Sequence, residues 1–310
     1  MRTHWIELLA CPRCGADLQL SHPAPPVPDE IADGDLRCVR CEAEVPLRDE
    51  ILHFLPEPEL TTEEARLKRS EQQKRDEEAA AYNSMFDDFE EEVEREAVLE
   101  LLRPAADDLV VDVGIGTGLI ARAYVPRVRG VVGVDFSRES LRVARDVLRG
   151  GGGDFCLIHA DACSLPLKPA RFYKAISTQV FEHLPSAALR GEALSELARV
   201  LQPGGALALS AYYHSPERRL THRFRPGHRT AKEGLHSDGA IYYYSFGARE
   251  LRSFLGAHFR VTRVRGIMQR RPYLPRFGKA GLLYERLAQR SPIGLLTGKT
   301  VIARAVRPGG

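Results

Sequence analysis

From Leu109 onward, short apolar runs alternate with helix-favouring stretches, and this alternation restricts the possible folds more than any other feature of the chain. Leu109–Val113 is apolar and ends in glycines. Thr117–Val125 reads as a helix. Val131–Phe136 is the next strand, and Ser137 can cap a helix running to Arg149. Gly150–Gly153 breaks the chain. Phe155–His159 and Ala175–Val180 are the third and fourth strands. Ala187–Leu201 is a helix stopped by Pro203, Gly204 and Gly205, and Ala206–Ala211 is a fifth strand. The pattern returns later as a helix, Ala248–Leu255, and two strands, Phe259–Val264 and Thr300–Val306. Such alternation predicts an α/β domain, with a parallel, doubly wound sheet covered by helices on both faces.

The first strand leads directly into a glycine turn. Gly114, Gly116 and Gly118 let the backbone bend sharply and approach a ligand without Cβ obstruction. A dinucleotide fingerprint spaces its glycines GxGxxG; here the third comes one position early and residue 119 is Leu. Asp112 lies two residues before the first glycine. A second acid, Asp135, ends the next strand, where a carboxylate can grip ribose hydroxyls. Asp161, followed by Ala162, ends the third and can address the amine of adenine. Three acids at successive strand ends suit a cationic, phosphate-free cofactor better than an anionic one.

The ordered segments DVGIGTG, GVDFS, HADACSLP, STQVFEHLP and ELARVLQPGGALALS resemble the motif series of class I methyltransferases over about residues 82–212. The resemblance implies a seven-stranded sheet with an antiparallel last strand, and S-adenosylmethionine as cofactor. It implies that Asp112 and the Gly114–Gly118 loop hold the methionine part, with Gln179 close by. Asp135 would bind ribose, Phe136 would flank adenine, and Asp161 with Ala162 would meet the adenine edge. One departure is Tyr173-Lys174, where the family often has Phe-Asp before the fourth strand.

A second unit precedes this domain. Cys11 and Cys14, then Cys38 and Cys41, form two CxxC pairs, each able to present two thiolates to one tetrahedral zinc. A Pro-rich loop, Pro23–Pro28, lies between them. The frames IELLACPRCGADL and LRCVRCEAEVPLRDEI resemble the small zinc-binding activator subunit of tRNA and translation-factor methyltransferases. The zinc-ribbon starts of bacterial rRNA guanine methyltransferases are a looser match. The resemblance implies a structural zinc with a closed ligand set. The expected division is a ribbon over 1–56, an acidic helical linker and first helix over 57–103, and a cofactor-binding domain over 104–310. A substrate insertion falls at 212–246. Ala81–Leu102 reads as a helix with Phe86, Phe89, Val93, Ala97 and Leu101 at helical spacing.

The formal net charge of +2 conceals an asymmetry. Residues 57–100 carry 6 Lys/Arg and 16 Asp/Glu, whereas residues 216–310 carry 20 and 5. The two stretches either pair with each other or leave the basic third facing an anionic partner. No stretch is apolar enough for a membrane span and no signal peptide is visible, so a soluble, cytoplasmic protein is expected.

Candidates for chemistry lie after the fourth strand and in the insertion. His183 is a candidate base or an orienting residue of its loop. His214, His236 and Tyr242–Tyr244 either stack bases or roof a small-molecule pocket. Arg218, Arg219, Arg223, Arg225 and Arg229 either bind phosphates or form a solvated lid. Cys156 reads as a core thiol. The leading expectation is a methyltransferase acting on RNA or a small metabolite. The alternative is a non-catalytic cofactor-binding protein whose ribbon binds a partner. A nicotinamide oxidoreductase is opposed by the glycine spacing and by Asp112.

Overall fold

A computed structural model describes residues 1–21, 30–55, 61–85, 88–224, 231–236, 239, 241–269 and 278–309. The loop Pro23–Pro28, Phe86, Arg225 and Arg229 lie outside them.

The ribbon begins with a 3-10 turn, Thr3–Leu8, and carries strands β1 (Leu18–Leu20), β2 (Gly34–Cys38), β3 (Glu44–Arg48) and β4 (Ile51–His53). Helices α1 (Glu63–Met85) and α2 (Asp88–Leu102) follow. The expected helix from Ala81 is therefore two elements, the first starting well ahead of Ala81. Next come β5 (Leu109–Val113), β6 (Gly130–Asp135), α3 (Arg138–Gly151), β7 (Phe155–His159), β8 (Phe172–Thr178), α4 (Ala187–Val200) and β9 (Leu201–Tyr212). Ser137 caps α3 by accepting from the Ser140 N–H, as its place in the sequence predicts. The insertion holds α5 (Pro216–Phe224), β10 (Glu233–Leu235) and β11 (Tyr242–Tyr244), the two strands pairing as an antiparallel hairpin. The chain closes with α6 (Ala248–Leu255), β12 (Arg260–Gln269), α7 (Gly278–Ala288), α8 (Pro292–Thr297) and β13 (Gly298–Val306).

Thr117–Val125 is not the expected helix. The chain makes one helical bond, Arg122 N–H to the Gly118 carbonyl, and then tightens into two 3-10 turns, Ala121–Ala123 and Val125–Arg127. Pro126 has no N–H to continue an α-helix.

Among the described residues the sheet has eleven strands rather than seven, in the order β1-β2-β3-β4-β7-β6-β5-β8-β9-β13-β12. Its last seven positions form the expected doubly wound core, with β13 antiparallel to both neighbours. The other four are the ribbon. Strand β4 pairs in parallel with β7, aligning Ile51 with Leu157 and His53 with His159. Without it, β7 would present an unpaired edge. One buried cluster runs through both parts and includes Leu9, Leu36, Leu47, Ile158 and Leu167. The Trp5 ring covers Gly130 so closely that a Cβ there would lie 2.6 Å from it, and Trp5 Nε1 donates to Asp154 at 3.0 Å.

The charge asymmetry is partly neutralised inside the molecule. Glu100 of α2 meets Arg265 and Arg290, each at 2.9 Å, Glu96 meets Arg286, and Glu90 meets Lys299 at 2.5 Å. The hydrogen bonds from Arg265 and then Arg290 draw the Glu100 carboxyl down to about 2. Among the described residues, no helix is long and apolar enough to cross a membrane.

Candidate active site

The chain passes from β5 to β6 to β7 on one side of the sheet, then crosses to β8 on the other. Loops leaving β5 and β8 therefore diverge and open a crevice at the carboxyl ends of the strands, where open α/β sheets bind ligands. A cavity of about 860 Å³, partly open to solvent, lies there. Gly114, Gly116, Asp135, Phe136, Asp161, Ala162 and Gln179 all line it, as does His183.

The glycines of the turn have different tasks. A Cβ on Gly114 would lie 2.0 Å from Val180 Cγ2, and one on Gly118 would press on the α3 backbone at Ala144. A Cβ on Gly116 would meet no atom of the described residues within 4 Å, and that position lines the cavity. The Gly116 N–H donates to Asp135 at 2.8 Å, and the Ser137 N–H donates to the other carboxylate oxygen at 2.9 Å. Burial raises the Asp135 carboxyl against these bonds.

Asp112 and Gly118 do not line the cavity. Asp112 is buried behind the turn, where Tyr124 donates to one oxygen and the other finds no partner among the described residues. Burial pushes its carboxyl up to about 7, opposed by the Tyr124 hydrogen bond. Gln179 is held in the left-handed region at φ 54°. Its amide donates to Glu94 at 2.6 Å, and Glu94 also accepts from Ser210 at 2.5 Å.

The opposite wall comes from α1, which sequence reasoning placed in a linker. Lys68, Glu71, Arg75 and Tyr82 project into the cavity from one helix face. Their spacing was the available signal, but a polar helical stripe ordinarily reads as a solvated face. Lys68 forms an ion pair with Asp161, and Gln72 donates to the Phe136 carbonyl at 2.7 Å. Burial drives the Glu71 carboxyl up to about 7, against the nearby Arg75 charge.

His183 is enclosed. Its Nδ1 lies 2.9 Å from the Tyr242 carbonyl, which only accepts, so Nδ1 carries the proton. Nε2 then accepts from Arg75 at 3.3 Å. Burial, with Arg75 beside it, holds the imidazole neutral, well below its ordinary value. With both nitrogens engaged, His183 joins the strand-end turn to the insertion. The rings of His183, Tyr212, His236 and Tyr243 lie 5.2–6.2 Å apart in successive contacts and roof that end. Arg218 is buried instead of solvated, donating to Ser245 at 3.0 Å and to the Ala231 carbonyl at 3.1 Å. Cys156 is a buried core thiol, pushed up to about 12 by burial.

Glu71 makes stability depend on pH. Its folded value of about 7 exceeds the ordinary 4.5, so the native state keeps a proton that the unfolded chain releases. Stability from this group is lost as pH rises from about 4.5 to 7. Wild type should therefore melt lower at pH 8 than at pH 5.5, and Glu71→Gln should shrink that difference. An unchanged difference in thermal scans would contradict the assignment.

In the ribbon, the sulfurs of Cys11, Cys14, Cys38 and Cys41 lie within 4.8 Å of one another. Cys11 and Cys41 are 3.5 Å apart, as are Cys14 and Cys38. A tetrahedral ion with bonds of about 2.3 Å separates its sulfurs by about 3.8 Å, so the cluster fits a metal. Each CxxC turns through a left-handed residue, Gly15 at φ 69° and Glu42 at φ 58°. The Cys41 and Arg40 N–H groups donate to the Cys38 sulfur and draw its thiol down to about 6.

Residues 111–209 match a family model described as a methyltransferase domain. Methyltransferase GfsG of Streptomyces halstedii is 38% identical over 135 residues, 41% of this chain and 46% of that protein. A ubiquinone/menaquinone biosynthesis C-methyltransferase of Syntrophotalea carbinolica is 35% identical over 157 residues, 48% and 64% of the two chains. The chain spans about half the length of the curated relatives it matches. Among solved structures, a Bacillus halodurans protein assigned as a methyltransferase superimposes with a TM-score of 0.50 at 20% identity, covering 69% of this chain and 99% of that one. A complex of the Haloferax volcanii Trm112 methyltransferase activator with its assigned methyltransferase gives 0.50 at 21% identity, covering 79% and 95%. Both solved structures share the fold of this chain. Residues 111–209 carry the match to a methyltransferase domain, and the four-cysteine ribbon precedes them.

Proposed function

We propose that this chain is an S-adenosylmethionine-dependent methyltransferase that acts on a small metabolite or on RNA. The observation that carries this reading is the convergence of Gly116, Asp135 and Asp161 on one cavity at successive strand ends. Asp135 would take the ribose hydroxyls, Phe136 would flank adenine, and Asp161 with Ala162 would meet its edge. Asp161 is engaged by Lys68, so adenine recognition there requires that ion pair to open. The Gly114–Gly116 backbone and Gln179 would hold the methionine end, with Asp112 and Gly118 shaping the turn from behind. When bound, the cofactor supplies an electrophilic methyl group on a sulfonium. The chain's own residues align the acceptor and exclude water. Glu71, which lines the cavity with its carboxyl pushed up to about 7, is suited to accept a proton near neutral pH. His183 orients the roof.

In this reading the ribbon holds a structural zinc and stabilises the methyltransferase domain in cis. The support is the β4–β7 pairing, which spends a ribbon strand on the domain itself. A protein partner would then meet another surface. Six free cysteines fit a reducing compartment such as the cytoplasm.

A thermal-shift comparison tests the cofactor. S-adenosylhomocysteine should raise the melting temperature by several degrees and NAD should not; the reverse outcome would sink the reading. Labelled S-adenosylmethionine, offered with total RNA and with a metabolite extract, then tests the acceptor. Tight S-adenosylhomocysteine binding with no transfer to either pool would favour a non-catalytic protein.

A further inference from the structure

Part of the basic C-terminal third is matched by acid, and a cluster of arginines at one end of the sheet is not. Arg265, Arg286, Arg290 and Lys299 meet carboxylates of α2. Arg260 and Arg263 on β12, Arg304 on β13 and Arg103 just beyond α2 make no ion pair among the described residues. Arg103, Arg260 and Arg263 are exposed, and Arg304 is half-buried.

The backbone forces two of these charges together. Val261 pairs with Ala305, and a β-bulge at Thr262 then sets Arg263 directly across from Arg304. Without the bulge, Arg304 would face Thr262. Like charges in directly opposed positions destabilise an antiparallel pair. Arg304 Nη1 donates to Thr262 Oγ1 at 3.1 Å, which fixes the guanidinium in place. Partial burial, then the charges of Arg103, Arg260 and Arg263, lower the Arg304 guanidinium from its ordinary value. Charged edge strands resist aggregation, and β12 is an edge. That accounts for Arg260 and Arg263. It does not account for Arg304 on the neighbouring inner strand or Arg103 on another element.

We infer that Arg103, Arg260, Arg263 and Arg304 form a docking site for the phosphate backbone of a nucleic acid. All four are arginines, whose planar forks pair bidentately with phosphate. None of the exposed large apolar residues lies on β12 or β13, so the apolar component of a membrane-surface site is missing. The patch lies at the far end of the sheet from the cofactor crevice. Arg260 starts β12, Arg304 lies near the end of antiparallel β13, and Arg103 precedes β5, whereas the crevice lies beyond the ends of β5 and β8. The site therefore anchors a strand without touching the methyl acceptor, and it stands whether or not the chain transfers methyl groups.

Fluorescence anisotropy with a labelled 20-nucleotide poly(U) probe, at stepped salt, tests this. Wild type should bind saturably, with affinity falling linearly in log–log form as salt rises. Arg263→Gln/Arg304→Gln should weaken binding at least tenfold. It should also flatten the salt slope by about 1.4, at about 0.7 per lost single-strand phosphate contact. Its melting temperature should equal or exceed wild type, since a like-charge pair is relieved, and its S-adenosylhomocysteine shift should persist. Arg103→Gln/Arg260→Gln, at exposed positions, should act in the same direction. Arg219→Gln/Arg223→Gln on α5 should bind as wild type. The inference fails if wild type ignores the probe, if both patch variants bind normally, or if the α5 variant carries the loss. It also fails if the patch variants lose only binding to phosphatidylserine vesicles.

Discussion

Chelating the metal, or changing Cys38 to Ala, should unfold the ribbon and lower the melting temperature by more than about 10 °C. Cys38 lies in β2 at 2% exposure, and two backbone N–H groups already favour its thiolate. A unit of this size buries a smaller fraction of its surface than a large domain does and is marginal alone. Structural zinc contributes about 10 kcal/mol or more to small zinc-finger peptides, so its loss removes the ribbon's main support. The damage would spread because the sheet is continuous. Losing β4 strips β7 to an unpaired edge beside the cofactor crevice. The sequence contains one tryptophan, Trp5, which is 1% exposed over Gly130. Its emission reports on this interface alone. Chelation should shift it to the red in step with release of one zinc per chain, measured by elemental analysis. Metal-free protein with blue emission and an unchanged melting temperature would show that the ribbon stands without metal.

What the sequence disclosed follows from how local each signal is. Asp135 and Asp161 were legible because one ends β6 and the other lies two residues past the end of β7, and the crevice is defined by strand ends. The cysteine pairs were legible because each knuckle is four residues long. The joining of ribbon to sheet was not, because β4 and β7 are distant in sequence and their pairing leaves no local trace. The role of α1 was hidden for a different reason. Lys68, Glu71 and Arg75 are charged, and only their packing against Asp161 and His183 distinguishes them from a solvated stripe. Glu94 was missed likewise: it looked like one more acid on an acidic helix, yet it anchors Gln179. The reading of Thr117–Val125 as a helix failed where Pro126, one residue beyond it, outweighed the apolar pattern.

Gly116→Ala should abolish S-adenosylhomocysteine binding while costing the free protein little. The backbone there sits at φ 55°, so a Cβ adds left-handed strain of about 1 kcal/mol. Among the described residues no atom lies within 4 Å of it, so no clash adds to that strain. Gly114→Ala provides the contrast. It combines φ 83° with a Cβ 2.0 Å from Val180, whose β-branched side chain has little rotamer freedom to yield. Val180 follows Gln179, which Glu94 pins, so the β8 end cannot move aside without breaking that contact. Gly114→Ala should therefore lower both stability and binding. Gly116→Ala should separate the two, with a melting temperature within a few degrees of wild type and affinity reduced at least about 100-fold, or about 2.7 kcal/mol. That separation is what a glycine kept open for a ligand requires, because the added methyl group occupies ligand space and no protein space. Calorimetric titration decides it. Near-wild-type affinity in Gly116→Ala would mean that the open side of the turn does not face the cofactor, and the placement of Asp135 and Asp161 around it would need another explanation.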